Sequence, residues 1–333
     1  MPPTTNKPLT SVTLIFSPYH VGIRDHAVGA GPTRIKEAGI VDTLQDLDIQ
    51  IKQVDIPSVY DFEGDIGRSF EVIRRTAKLV AQARRESSFP VLIAGNCSGS
   101  VGVFAGLCAN NNNAAEVGCI WFDAHDDYNT PDTVVSGYFD SMGVAIMGGE
   151  CWKAQAATVP GFPEGGMDLR RAFVQVGVRD VTVEEVTRVK EGKYAVIWGG
   201  GKTEDSERVD YVRDLDRVVR EKVESGNVGK EDGWEVIVHV DLDVLDKGVG
   251  QANKYTATDG GLLQEELVSC LELLATGVKE AEGEKGRIRP ASLTVASYDP
   301  TFDQDGRILR TAINGIVAFV EGLRDTGTLL RVP

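Results

Sequence analysis

The chain has 333 residues, 42% of them hydrophobic, and a formal net charge of −15, so it can bury a large core and is a poor partner for nucleic acid. It has no apolar run of about 18 residues and no basic segment followed by an apolar one at its N-terminus, which predicts neither a membrane span nor a secretory signal. The five cysteines form no CxxC pair and fit a reducing compartment, so we expect a cytoplasmic protein.

Short apolar runs rich in β-branched residues alternate along the chain with longer helical patterns. Runs that are apolar without alternation are typical of strands buried on both faces of a parallel sheet. The predicted strands cover residues 12–16, 90–95, 117–122, 172–178, 234–240 and 291–298. The predicted helices cover residues 68–86, 98–109, 182–190, 204–224, 262–275 and 307–324. This order predicts an α/β fold, a three-layer α-β-α sandwich with a mostly parallel sheet, as a single domain over residues 1–333.

Three polar segments rich in Gly, Pro or Asn predict surface loops, at residues 108–116, 159–168 and 279–290. Ligands of such sheets bind where loops leave the carboxyl ends of the strands. Three further loops are therefore candidates for a functional site. They are AGNCSGS at 94–100, DAHDDYN at 123–129 and DLDVLD at 241–246.

Four carboxylates and one imidazole follow two of the predicted strands. Asp123, His125 and Asp127 stand at alternate positions, and Asp241 and Asp243 repeat that spacing. In extended backbone, alternate side chains point to the same side. Carboxylates that meet in this way repel one another unless a cation of charge two or more lies between them. Oxygen-rich ligation with a single imidazole suits Mn²⁺ and related ions, so the pattern predicts a metal site.

The loop motifs resemble those of the ureohydrolase family, which includes arginases and agmatinases. That family carries Gly-Gly-Asp-His-Ser, Asp-Ala-His-x-Asp-x-Asn and Ser-x-Asp-x-Asp-x-x-Asp-Pro motifs, each after a strand. This chain shows AGNCS at 94–98, DAHDDYN at 123–129 and HVDLDVLDKG at 239–248. Residues 20–40 and 176–180 are also similar to family segments. The chain thus looks like a divergent member with an arginase-like fold and an altered first motif.

The resemblance implies a pair of Mn²⁺ ions and hydrolysis by metal-activated water. By that resemblance, Asp123 and Asp241 would bridge both ions. His125 and Asp243 would complete one site, and Asp127 would serve the other. The remaining ligand of this second site is a histidine in the family, and a different residue stands there in this chain.

That residue is Cys97. A thiolate ligand would shift the second site toward softer ions such as Zn²⁺, Co²⁺, Fe²⁺ or Ni²⁺. Equally, Cys97 could be a small buried hydrophobe beside a site that holds one ion, and a nucleophilic role would need a neighbouring base. The sequence therefore predicts one or two Mn²⁺ ions, or another divalent transition metal, and leaves the role of Cys97 open.

The residues expected around a substrate also depart from the family. Asp140 aligns with the histidine that shuttles protons in arginases and is a candidate acid–base group. Asp127 is the second candidate for acid–base work. Alternatively, Asp140 caps the helix that follows it. Ser297 aligns with the carboxylate that pairs with the substrate guanidinium, and a hydroxyl cannot supply a bidentate counter-charge. Asn129 and Ser136 remain where arginases bind the amino-acid head group of the substrate.

Together these features predict a metal-dependent hydrolase of the ureohydrolase type, cleaving a C–N bond of a small amidine-like or amide-like molecule other than L-arginine or agmatine. One alternative is a mononuclear, deacetylase-like amidohydrolase whose single ion is held by Asp123, His125, Asp241 and Asp243. Another is a catalytically silent paralogue that binds a ligand. The expected partner is a small-molecule substrate, without nucleic acid or membrane, and the resemblance implies a homo-oligomer.

Overall fold

A computed structural model describes residues 8–60, 63–109, 117–200, 208–225, 228, 233–255, 257–277 and 288–331. Within these ranges, strands and helices alternate along the chain. The strands are β1 (Ser11–Ser17), β2 (Tyr19–His20), β3 (Ile23–Arg24), β4 (Ile51–Asp55), β5 (Ser88–Ala94), β6 (Val117–Phe122), β7 (Phe173–Val176), β8 (Ala195–Ile197), β9 (Trp234–Asp241) and β10 (Ile288–Ala296). The helices are α1 (Ala30–Glu37), α2 (Ile40–Gln45), α3 (Asp65–Arg85), α4 (Gly99–Cys108), α5 (Gly143–Met147), α6 (Lys153–Ala156), α7 (Leu169–Ala172), α8 (Val183–Gly192), α9 (Tyr211–Glu224), α10 (Gln264–Thr276) and α11 (Arg307–Asp325).

Eight of the strands form one sheet in the order β4-β1-β5-β10-β9-β6-β7-β8, and every neighbouring pair runs parallel. Strands β2 and β3 form a separate antiparallel ribbon. Helices flank the sheet and pack in pairs, α3 with α4 and α10 with α11. The predicted α/β fold with a parallel sheet between helical layers is confirmed.

The central strands explain why the apolar runs were recognisable. Every residue of β5, β6 and β9 is buried, as expected for strands covered on both faces. All six predicted strands are present: β6 covers the predicted residues 117–122, and the other five have shifted ends. The six predicted helices correspond to α3, α4, α8, α9, α10 and α11. Helix α9 begins at Tyr211 rather than at 204, and residues 204–207 lie outside the described part of the chain.

Two of the four strands missing from the prediction lie at the edges of the eight-stranded sheet. Strands β4 and β8 are the two edge strands, and both are partly exposed, so they lack the continuous apolar run of a central strand. The predicted loop at 279–290 is wrong at its end, because Ile288, Arg289 and Pro290 pair with β9 as part of β10. Residues 279–287, and residues 110–116 of the loop predicted at 108–116, lie outside the described ranges, while Cys108 ends α4.

Four central neighbours of the sheet, β5, β10, β9 and β6, bring the candidate loops to one edge. Their carboxyl ends carry Cys97, Ser297, Asp241 and Asp123. The loop after β5 packs tightly, since a Cβ on Gly95 would lie 2.2 Å from the carbonyl oxygen of Tyr19. In the part of the chain that the structure describes, no helix combines the length and apolarity needed to cross a membrane.

Candidate metal centre and substrate cavity

A cavity of about 210 Å³ lies at the carboxyl ends of the central strands, and we call it the carboxylate cavity. Nine of the ten predicted site residues line it, and the tenth, Asp123, is buried and contacts the lining residue His125. The lining comprises Val28, Cys97, His125, Asp126, Asp127, Asn129, Val134, Ser136, Tyr138, Asp140, Ser141, Asp180, Glu185, Asp241, Asp243, Asn253, Tyr255 and Ser297. The fold thus gathers residues that are far apart in the sequence around one small space.

One side of the cavity is organised around an imidazole. The Nδ1 atom of His125 lies 3.3 Å from Oδ2 of Asp243 and 3.5 Å from Oδ1 of Asp123. Its Nε2 atom lies 3.6 Å from Oδ2 of Asp180. Asp123, His125 and Asp243 each offer a ligand atom, and these atoms lie within 4.8 Å of one another. We call His125 with these three aspartates the His125 half of the cavity.

The backbone departs from an extended strand at Asp127 and Asp243, so the predicted geometry of alternating side chains is wrong in detail. Asp127 has a φ of 47°, and Asp243 lies in a 3-10 turn, Leu242–Val244. Oδ1 of Asp123 accepts a hydrogen bond from the backbone N–H of His125 at 2.7 Å, and Oδ1 of Asp241 accepts one from that of Asp243 at 2.8 Å. A short carboxylate that bonds the backbone two residues further on favours a turn over a strand. The turns, rather than strand alternation, bring these side chains together.

A second group of residues at the cavity is organised around a thiol. Sγ of Cys97 donates to Oδ2 of Asp241 at 2.8 Å and lies 3.3 Å from Oγ of Ser297. Burial, together with the negative charge of Asp241, raises the pKa of the Cys97 thiol well above its usual range. His239 is buried beside this group, and its ring offers a nitrogen within 4.8 Å of ligand atoms on Cys97 and Asp123. We call Cys97, His239, Asp241 and Ser297 the Cys97 half of the cavity.

Within the described ranges, the acidic side chains of the cavity are not all paired with cationic side chains, and several of their pKa values are shifted. Burial and then repulsion from a neighbouring carboxylate raise the pKa values of Asp123, to about 6, and of Asp127 and Asp241. Burial acts in the same direction on Asp243, but the contact with His125 outweighs it and lowers the pKa of Asp243. Buried carboxylates that face one another with an imidazole and a thiol form a donor set that fits divalent metal ions.

Asp140 holds the loop that carries Cys97. Its carboxylate accepts hydrogen bonds from Nδ2 of Asn96 at 2.6 Å and from the backbone N–H groups of Cys97 at 3.1 Å and Ser98 at 2.9 Å. The alternative that Asp140 caps the helix after it is wrong, because these donors all belong to the loop after β5. Burial raises the pKa of Asp140. It therefore lines the cavity as a carboxyl group whose position is set by three donors.

The segment after β10 supplies a hydroxyl to the cavity and no carboxylate. Ser297 has a φ of 65°, so the extended backbone ends at Ala296. Asp299, two residues further on, accepts hydrogen bonds from the N–H of Thr301 at 3.0 Å and from its hydroxyl at 2.6 Å. Asp299 is not among the lining residues, so it does not replace the missing counter-charge at Ser297.

The two residues retained from the head-group region lie at the cavity wall. Nδ2 of Asn129 donates to Oε1 of Glu185 at 2.7 Å, and its Oδ1 accepts from the hydroxyl of Thr133 at 2.9 Å. The hydroxyl of Ser136 accepts from the backbone N–H of Tyr138 at 3.2 Å. Both side chains therefore make contacts within the protein while they face the cavity.

Sequence reasoning assigned no role to several residues of the site. Asp180 contacts His125, Nδ2 of Asn253 donates to Oδ2 of Asp243 at 3.2 Å, and Tyr138 and Tyr255 form an aromatic wall. A local signal existed for one further residue, His239. It precedes Asp241 by two positions in β9, so strand alternation places it on the same side as that aspartate.

Comparison with known proteins agrees with this geometry. Residues 11–318 match the family model described as "Arginase family". Arginase-1 of Xenopus laevis is 28% identical over 280 residues, which cover 80% of this chain and 83% of that protein. Among solved structures, arginase from Bacillus subtilis has a TM-score of 0.72 at 22% identity and covers 93% of this chain and 98% of its own. Formimidoylglutamase from the same organism has a TM-score of 0.66 at 16% identity, covering 96% and 88%. The family match spans most of the sequence and confirms the resemblance of the loop motifs: this chain belongs to the arginase family.

Proposed function

We propose that this protein is a metal-dependent hydrolase that cleaves a C–N bond of a small amidine-like or amide-like substrate, and that neither L-arginine nor agmatine is that substrate. The observation that carries the proposal is the combination of a buried carboxylate–imidazole donor set with a hydroxyl, at Ser297, where a guanidinium would need a carboxylate. Formimidoylglutamase, whose fold is similar, supports an amidine-like substrate distinct from arginine.

The metal ions would be held by the groups that converge on the cavity floor. These are Asp123, His125, Asp127, Asp241, Asp243 and Cys97. When bound, such ions supply a Lewis acid and lower the pKa of water. Asp127 and Asp140, whose pKa values burial raises, would hold and release protons at the floor and the wall. Asn129, Ser136 and Ser297 would position the substrate by hydrogen bonds.

The charge of the substrate follows from the same residues. A buried cation without a paired carboxylate is penalised by several kcal/mol, on the order of 3–5 kcal/mol for a broken buried pair. Ser297 already contacts the thiol of Cys97, and Asp299 is bound to Thr301, so neither residue offers a counter-charge to a guanidinium. We therefore expect a substrate that does not place a guanidinium beside Ser297.

The position of Asp127 favours a second candidate, a mononuclear amidohydrolase. Among the described residues, Asp123, His125 and Asp243 form a tight group of potential ligands, while Asp127 belongs to no such group. Metal content separates the candidates: two ions per chain favour the first, and one favours the second.

The test measures urea release from L-arginine and agmatine, and ammonia or amine release from formimino compounds and small amides, in protein loaded with Mn²⁺ or Zn²⁺. We expect negligible urea and measurable hydrolysis of a compound from the second group. That hydrolysis should be lost in Asp241→Asn and kept in Asp132→Asn, which changes an exposed carboxylate outside the cavity lining. A robust urea signal that Asp241→Asn abolishes would return the protein to arginase or agmatinase chemistry.

Other features of the function stay predictions. Mn²⁺ as the resident ion, a cytoplasmic location, a small-molecule partner, a homo-oligomeric assembly and a single domain over residues 1–333 are expected from the sequence and the family resemblance. Metal analysis of protein purified without added ions and light scattering in solution would test the ion and the assembly.

A further inference from the structure

His239 is a buried histidine in the middle of the sheet. It lies on β9 directly beside Trp121 on β6, and the two rings stack with centroids 3.7 Å apart. Its Nδ1 atom lies 2.9 Å from Oγ of Ser100, while its Nε2 atom has no hydrogen-bond partner among the described residues. A buried polar atom left without a partner costs about 1–3 kcal/mol. The fold therefore holds one ring nitrogen in place without using it.

Two potential ligands face this histidine. Cys97, Asp123 and His239 each offer a ligand atom, and the three atoms lie within 4.8 Å of one another. All three residues are almost completely buried, with at most 1% of their surface exposed. Since Ser100 engages Nδ1, Nε2 is the nitrogen available to this group. A carboxylate oxygen of Asp241, 2.8 Å from the Cys97 sulfur, lies beside it.

We propose that His239 is a metal ligand, and that Cys97, His239 and Asp123 form a sulfur–nitrogen–oxygen site for a borderline-soft divalent ion such as Zn²⁺ or Co²⁺. The proposal rests on the proposed metal-dependent function of the cavity and assigns an ion class to its Cys97 half. Thiolate and imidazole ligands favour Zn²⁺ and Co²⁺ over Mn²⁺, whereas the oxygen-rich His125 half suits Mn²⁺. The two halves would then prefer different ions.

The contacts of the thiol disfavour a nucleophilic Cys–His pair. A base that activates a cysteine lies within hydrogen-bond reach of its sulfur. Here the thiol of Cys97 donates to Asp241 and contacts Ser297, and no hydrogen bond joins it to His239 among the described residues. A cation placed among these groups would take the sulfur as a thiolate and give the unused nitrogen of His239 a partner.

X-ray absorption at the zinc edge tests the proposal directly. The chain has four histidines, and the double variant His20→Gln/His125→Ala leaves His239 and the exposed His26. This variant, metal-stripped and given less than one equivalent of Zn²⁺, should show one sulfur at about 2.3 Å and imidazole scattering from a nitrogen at about 2.0–2.1 Å. Cys97→Ser in the same background should lose the sulfur, whereas Cys270→Ala, which changes a cysteine of α10, should keep it.

The wild-type protein provides a second measurement that needs no variant. With two equivalents of Zn²⁺ bound, we expect one imidazole per ion on average, one from His125 and one from His239, and one sulfur for every two ions. A spectrum with sulfur but only half an imidazole per ion would show that His239 is not a ligand. A spectrum without sulfur, with oxygen ligands and one imidazole for every two ions, would show that neither Cys97 nor His239 binds the metal.

The outcome is separable from that of the hydrolase proposal. Hydrolysis that Asp241→Asn abolishes, together with zinc that shows no His239 signal, overturns only the assignment of His239. Zinc bound by sulfur and imidazole in a protein that hydrolyses no compound of the panel overturns only the proposed activity.

Discussion

The two halves of the carboxylate cavity both contain aspartates but differ in the groups that contact those aspartates. In the His125 half, one imidazole contacts three carboxylates, and together these carboxylates outweigh the effect of burial and raise the pKa of His125 well above its usual value. In the Cys97 half, the thiol donates one hydrogen bond to Asp241, and the nearby His239 contributes no charge because burial lowers its pKa to about 3. An imidazole that favours its protonated form therefore faces the carboxylates of the His125 half, whereas a neutral thiol faces Asp241 in the Cys97 half.

This difference indicates that the charges of a candidate metal site can be partly compensated by its own residues. A protonated His125 offsets the charge of Asp243 without a cation, whereas Asp241 has only a thiol and a hydroxyl nearby. An ion entering the His125 half must displace a proton from the imidazole, since a histidine ligand is neutral. An ion entering the Cys97 half must instead displace a proton from the thiol. The predictions below separate the two halves.

The largest effect is expected from the aspartates that serve both halves. Asp123→Asn and Asp241→Asn should each abolish tight metal binding and any hydrolysis, because each would remove a negative charge that, by the family resemblance, would serve both ions. Elemental analysis after gel filtration measures this loss, with Asp132→Asn as the matched control at an exposed position. Retained metal in both variants would contradict the assignment of the whole cavity.

Removing one ligand from each half should have a smaller, one-sided effect. His125→Ala and Cys97→Ser should each lower the bound metal from two ions per chain to one, because the remaining half keeps its own ligands. Inductively coupled plasma mass spectrometry of dialysed protein counts the ions. If His125→Ala loses all metal while Cys97→Ser loses none, the protein is the mononuclear hydrolase.

Exchanging the thiol for an imidazole should change the ion preference and leave the number of ions unchanged. Cys97→His should raise the affinity for Mn²⁺ relative to Zn²⁺ by at least about tenfold, the smallest change expected when only the surroundings of a ligand are altered. Competition titrations of the two ions measure the ratio. An unchanged Mn²⁺ titration means that residue 97 does not face the metals.

The smallest effects should come from residues that orient a ligand. Ser100→Ala removes the partner of His239, and Asn253→Ala removes the donor to Asp243. Each should weaken binding in its own half by about tenfold, with little change in the other half. The first equivalent of Zn²⁺ reports the Cys97 half and Mn²⁺ titrations report the His125 half, and thermal melting checks that both variants fold. Equal losses of both ions in each variant would show that the halves act as one site.

Much of the fold could be predicted because a buried strand is marked by a run of apolar residues within its own sequence. The run at 117–122 was recognisable as a strand because both faces of β6 are buried and every position is apolar or small. The edge strands β4 and β8 were not recognisable, because a strand with a solvent-facing side needs no apolar run. Carboxylates at 123–127 and 241–243 marked the candidate metal site for the same local reason: each group directly follows a central strand.

The sequence by itself determined that acidic side chains would meet at one edge of a parallel sheet, since the carboxyl ends of parallel strands lie at the same edge and these residue types follow them. Only the tertiary structure decided what surrounds them. The Cys97–Asp241 contact joins residues 144 positions apart, and the Ser100–His239 contact joins residues 139 positions apart, so no local pattern encodes either. The roles of Asp140 and His239 depend on donors and neighbours from other strands and loops. The physical reason is that periodicity records which face of an element is buried, whereas the partner of a buried polar atom is set by which elements the fold places side by side.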